Sequence, residues 1–210
     1  MQRFQVIESY NVVIAACFSD SDESEEAPCV LVIDLCTTKI LQEIKYKPLE
    51  YPSAISWHSF GAFGDDPAKL KVYIGTSVMP SKESGENESY SPQKGALYAY
   101  NFDVELRCEQ EVPLNGAVYD IQDFVMASQS YLVLGINAIV RIYLIKRDEN
   151  MLEKVSEVDS QIITYKIKVV HERPRQRRDD HVKILVADIM KSLTVYTFAR
   201  YPNNDTGDRF

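Results

Sequence analysis

The sequence lacks an apolar run long enough to cross a bilayer. The longest, Val12 to Phe18, is seven residues, against the roughly 20 that a membrane helix needs. An acidic tract follows it, where a secretion signal would end in small residues, so neither a membrane partner nor a signal peptide is expected. Cysteine is scarce. Four cysteines (Cys17, Cys29, Cys36, Cys108) in 210 residues are too few to staple the chain, and none stands at CxxC spacing, which argues against a disulfide framework and a zinc site. Three of them lie in apolar strand-like runs and read as reduced, half-buried strand residues, placing the chain in cytosol or nucleus. An excess of positive charge is also missing. With a net charge of -8 and a pI near 5.0, the segment as a whole has no clustered positive field with which to bind nucleic acid.

The signatures of catalysis are absent too. There is no GxSxG elbow, GxxxxGK[ST] loop, GxGxxG fingerprint or HExxH pair. The three histidines (His58, His171, His181) have no second ligand or base at a mechanistic spacing. His58, beside Trp57 in a buried-strand pattern, reads as a core or channel residue. The expectation is a non-enzyme with no catalytic, cofactor-binding or metal residues. A long amphipathic helix is not evident; Lys47 to Tyr51 and Gln176 to His181 have room for about a turn each.

What is present is a repeat. Three apolar residues followed by Gly or Ala occur at Val12-Val13-Ile14-Ala15, Val72-Tyr73-Ile74-Gly75, Leu132-Val133-Leu134-Gly135 and Ile184-Leu185-Val186-Ala187. Each is followed by a second strand-like run, and three of these runs have Tyr second (Tyr98, Tyr143, Tyr196). A third run alternates apolar and charged residues, as at Ile40 to Tyr46, Glu105 to Val112 and Leu152 to Val158, the pattern of an exposed edge strand. A fourth, at Ala54 to Phe60, Ala117 to Phe124 and Ile162 to Val170, is rich in β-branched and aromatic residues and suits a buried inner strand.

Four short antiparallel strands repeated in this way make the unit of a β-propeller. A β-sandwich also needs many short strands, but it does not call for the same small residue at the same place in successive units. The expected fold is all-β: a partial propeller of about three to four blades, near 1–46, 54–112, 117–158 and 162–198, with the flanking units partial. Since closed propellers have roughly 4 to 8 blades, the chain is expected to be part of a larger protein. Polar inserts fall at 19–27, 77–94 and 171–180. The first is acidic. The last holds Arg173, Arg175, Arg177 and Arg178, either a solvated loop partly neutralised by Glu172, Asp179 and Asp180 or a basic phosphate-binding patch.

Beyond the repeat, the stretch from Lys94 to Phe198 resembles the family of large three-propeller scaffolds. These are the damaged-DNA-binding large subunit, its yeast replication-repair relative, the large cleavage-and-polyadenylation specificity subunit and the propeller subunit of the branch-site splicing factor. The resemblance rests on Lys94-Gly95-Ala96-Leu97-Tyr98, Asn115-Gly116-Ala117-Val118-Tyr119, Gly135-Ile136-Asn137-Ala138-Ile139-Val140-Arg141-Ile142-Tyr143 and Val186-Ala187-Asp188-Ile189-Met190-Lys191-Ser192. Residues 116 to 119 and 136 to 143 look most like the third propeller of the damaged-DNA-binding subunit.

That resemblance implies a nuclear, and also cytoplasmic, adaptor of a cullin-RING ubiquitin ligase acting in DNA repair. Substrate-receptor proteins would insert a helical segment against it, the rest of its own propeller would complete it, and the cullin would bind only through domains outside this chain. The alternative is a pre-mRNA processing subunit, with nucleic acid bound at the level of the complex. The positions that the resemblance carries over as partner-facing are Tyr119, Asp120, Ile163, Tyr165, Ile189 and Lys191. Aromatic and aliphatic side chains with a charge at strand ends suit an apolar anchor site with a polar rim. Asp120 stands where the nearest relatives have a small hydroxyl residue, and Thr164 where they have Ala.

Overall fold

A computed structural model describes residues 3–18, 27–61, 69–80, 92, 94–146, 151–171 and 181–199. The chain divides into two compact units, Met1–Val118 and Tyr119–Phe210. The first holds β1 (Arg3–Ile7), β2 (Val12–Cys17), β3 (Cys29–Asp34) and β4 (Ile40–Lys45) in one sheet, then β5 (Glu50–Phe60), β6 (Lys69–Val78), β7 (Gly95–Phe102) and β8 (Leu106–Leu114) in another. The second holds a sheet of β9 (Val118–Met126), β10 (Gln129–Ile136), β11 (Ile139–Ile145) and β12 (Glu153–Asp159), then one of β13 (Thr164–Val170), β14 (His181–Asp188) and β15 (Leu193–Ala199). In every sheet the strands run in sequence order, and the strand pairings are antiparallel. The expected all-β architecture of blade-like meanders is the observed one.

The repeat found in the sequence lies on equivalent strands. Ala15, Gly75, Gly135 and Ala187 all sit in the second strand of their sheets, and Tyr98, Tyr143 and Tyr196 in the third. The pairing of third to fourth strand carries a register shift in three sheets, within one residue of the same place: between Val32 and Ile33, Ala99 and Tyr100, and Ile142 and Tyr143. A bulge here adds local twist, which each blade needs if its fourth strand is to turn away from the first. The fourth strands β4 and β12 have no buried residue, as their alternating charge requires.

Each unit has its own core. In the first, Ile14, Val30 and Val32 of one sheet pack with Leu70, Val72, Ile74 and Tyr100 of the other. In the second, Phe124, Tyr131 and Phe198 are mutually in ring contact and join Ile142, Ile167 and Ile184. Burial of such side chains is the main stabilising contribution, about 25 cal/mol per Å² of apolar surface.

Two expectations are corrected, and a third lies almost wholly outside the described residues. The first sheet is complete, because RFQVI forms β1 and pairs with all of β2 except Cys17, in register from Arg3 opposite Ala16 to Ile7 opposite Val12. Lys47 to Tyr51 is not a helical turn: Glu50 and Tyr51 already belong to β5, since Tyr98 and Thr76 hold the Glu50 carboxylate against β6 and β7. Of Gln176 to His181, only His181 is described, and it opens β14.

Candidate functional site

The partner-facing positions carried by the resemblance fall at the strand ends of the second unit, and local chemistry accounts for their placement. β13 pairs with β14 so that Thr164 opposes Asp188 and Lys166 opposes Ala187, which leaves Tyr165 as the extra residue of a bulge. A bulge re-aims a side chain, and Tyr165 is 45% exposed. The same device occurs in β5, where Pro52 opposes Thr76 and Ala54 opposes Gly75, with Ser53 as the extra residue. There the bulged hydroxyl bonds to the carbonyls of Gly75 and Val118. In both sheets the repeat's small residue, Gly75 or Ala187, pairs with the residue just after the bulge.

Three turns meet at this end of the unit. Thr164 N donates to Asn137 O at 2.7 Å, Ser160 N to Ala138 O at 2.8 Å, and Ile189 N to Ile163 O at 3.1 Å. Asp188 shapes the β14–β15 turn by accepting the amides of Met190 (2.8 Å) and Ser192 (3.0 Å), an Asx arrangement that lets Lys191 adopt a φ of 66°. The turn therefore presents Ile189 (51% exposed), Met190 (69%) and Lys191 outward, with Leu193 beside them.

Ile163 is half-buried directly before β13 and is tied to Ile189 by the bond just described. Tyr119 is half-buried in β9, and burial raises its phenol above the usual tyrosine range. Asp120 is different. It is buried, with Oδ1 accepting Lys166 Nζ at 2.7 Å and Oδ2 accepting the Ile167 amide at 2.8 Å. Its carboxylate is thus spent inside the unit, joining β9 to β13, rather than standing on the rim of a surface. Arg173, Arg175, Arg177 and Arg178 lie outside the described residues. Among the described residues no group of three or more His, Cys, Asp or Glu could hold a metal, and no helix is long and apolar enough to cross a membrane.

The family model of the CPSF A subunit region matches residues 27–206. The chain belongs to this family. No curated protein matches the chain significantly. The CPSF A match takes in every strand from β3 to β15, and with them all the strand-end positions above. It supports the three-propeller family at the level of a propeller scaffold. Within this CPSF A chain, Thr164 is fully buried and its methyl stands 2.5 Å from where a Cβ on Gly135 would lie. The larger residue at 164 is therefore accommodated by the glycine of the repeat.

Met190 and Leu193 belong with the exposed cluster but escaped the reading of the sequence. Their only local signal is an Asp followed by two apolar residues in a turn, where exposed side chains gain nothing from being apolar unless something covers them.

Proposed function

We propose that the chain is a non-enzymatic protein-binding scaffold, part of the receptor-binding propeller of an adaptor in a nuclear cullin-RING ubiquitin ligase that acts in DNA repair. The observation that carries this reading is the bulge at Tyr165 beside the Ile189 turn. Three turns knitted by backbone hydrogen bonds hold an aromatic and several aliphatic side chains out in solvent, with Lys191 at the margin. A rigid apolar anchor with a charged rim is what a helical segment of a receptor requires. Tyr165 and Ile189 serve as anchors, Ile163 and Tyr119 support them from half-buried positions, and Asp120 acts by holding β13 in place. The rest of the propeller and the cullin-binding part belong to domains outside this chain.

The family's description as the CPSF A subunit region favours a second reading, a pre-mRNA processing subunit whose complex contacts nucleic acid. Capture from nuclear extract by the full-length protein separates the two. Ubiquitin-ligase receptors, lost on Tyr165→Ala with Ile189→Ala, support the first. Polyadenylation or splicing subunits in their place support the second. Unchanged capture by the double variant, with the fold intact by circular dichroism, removes the site from either.

A further inference from the structure

We propose that Cys17 and Cys29 form a reversible intramolecular disulfide, so that the last rung of the β2–β3 ladder is a thiol-oxidation site. The two are direct register partners on adjacent antiparallel strands. Their type of pairing follows from two backbone bonds. Leu35 N donates to Asn11 O at 2.8 Å, one step before the Val12–Asp34 pair. Hydrogen-bonded pairs alternate along an antiparallel ladder, so Val13–Ile33, Ala15–Leu31 and Cys17–Cys29 are of that kind. On the other edge of β3, Tyr46 N to Pro28 O (2.9 Å) sets the same phase, one step from the Cys29–Lys45 pair.

Such a pair has its Cα atoms about 5.5 Å apart, inside the span of roughly 4.4–6.8 Å that a disulfide bridges. Directly opposed residues share a face. Here it is the half-buried one of Val13, Ala15, Leu31 and Ile33, with Val12, Ile14, Val30 and Val32 turned to the core. The Cβ atoms of opposed residues, about 4.5–5.5 Å apart, must close to about 4 Å. The pair ends its ladder, so this movement falls at a strand terminus instead of within the sheet. Both residues are thiols, and Cys17 Sγ makes only a weak thiol hydrogen bond, to Ala15 O at 3.9 Å. Cys36, in the turn after β3, and Cys108, in β8, have no cysteine opposite them.

The oxidant is a small disulfide such as oxidised glutathione. One cysteine thiolate attacks it, forming a mixed disulfide and expelling one glutathione thiolate; the second cysteine then displaces the other. The protein gives up two protons and two electrons, and one oxidised glutathione becomes two reduced molecules. The resulting ring closes over residues 18–28, which carry the acidic tract Ser19 to Glu26.

The test is to incubate the full chain with oxidised glutathione, quench in acid, alkylate and map the peptides by mass spectrometry. The expected product is a Cys17–Cys29 linked peptide, monomeric on a non-reducing gel, with two of the four thiols lost and both recovered by dithiothreitol. The same treatment of Cys17→Ser should leave Cys29 as a glutathione adduct with no link. Separate glutathione adducts on Cys17 and Cys29 of the unsubstituted chain, both residues alkylated as thiols, or linkage between chains would each overturn the assignment. The unsubstituted chain decides the matter even if the variant fails to fold.

Discussion

Asp120 and Lys166 are joined at 2.7 Å across the two sheets of the second unit, but the two ends of this ion pair are unequal. The aspartate side chain is 5% exposed and the lysine side chain 59%. Asp120 also holds the Ile167 amide, so removing it strands a buried donor as well as a charge. Asp120→Ala is expected to cost about 1–3 kcal/mol. Asp120→Asn, which keeps an acceptor for the amide, should cost less. Lys166→Ala takes the counter-charge from a buried carboxylate that still accepts the Ile167 amide, and should cost less than Asp120→Ala, about 1 kcal/mol. Urea unfolding of the three variants checks the order, and a Lys166→Ala loss equal to that of Asp120→Ala would refute it.

Two glycines mark where the backbone and a neighbour come closest. A Cβ on Gly95 would fall within 3.0 Å of the carbonyl oxygens of Thr76 and Gly116, backbone atoms that cannot give way locally. A Cβ on Gly135 would meet the methyl of Thr164 instead. Gly95→Ala is therefore expected to lose more than about 3 kcal/mol, and Gly135→Ala about 1–3 kcal/mol. Adding Thr164→Ala to Gly135→Ala should restore much of the loss, while nothing comparable can relieve Gly95→Ala. Thermal melting of the single and double variants measures both; absence of rescue at position 135 would mean that the Thr164 contact is not the cause.

The blade repeat was legible because its signals are local. Val72 to Gly75 and Leu132 to Gly135 carry their burial in their own composition, and the charged alternation of Ile40 to Lys45 states its exposure. β1 precedes the first repeat and is five residues long, too short for its own period to identify it. The burial of Asp120 depends on partners 46 and 47 residues away, and no spacing rule reaches that far. The bulge that turns Tyr165 outward is a matter of register between β13 and β14, as is the facing of Cys17 and Cys29. Sequence alternation sets which side of a strand a residue occupies; it does not say which residue of the next strand stands opposite.

Lys71 and Glu109 form a second, more deeply buried pair, at 3.5 Å, with side-chain exposures of 7% and 18%. Glu109 Oε2 has no hydrogen-bond partner among the described residues. Removing one member leaves the other charge buried, at a cost of about 3–5 kcal/mol for Lys71→Met. Replacing both, Lys71→Met with Glu109→Leu, removes both desolvation penalties together and should lose less than Lys71→Met alone. A double-mutant cycle in urea reports the coupling; additive losses would show that the two charges do not interact.

The tyrosines around Glu50 make the first unit sensitive to alkali. Tyr98 Oη and Thr76 Oγ1 each donate to Glu50 Oε1 at 2.8 Å, and the Tyr46 and Tyr100 hydroxyls are 3.1 Å apart. Burial, first of all, raises all three phenols, Tyr98 further through its bond to Glu50. Tyr100 is pushed up to about 12, burial outweighing the opposing effect of its bond with Tyr46. In the unfolded chain a tyrosine releases its proton near 10.0, before the folded one does. The stability that Tyr100 contributes is thus whole below pH 10 and is lost as the pH rises from there through about 12. Urea midpoints taken between about pH 9 and 11.5 should fall for the unsubstituted chain and fall less steeply for Tyr100→Phe, which has no proton to lose. Equal slopes would mean that the Tyr100 phenol ionises alike in the folded and unfolded chains, and that the cluster does not shield it.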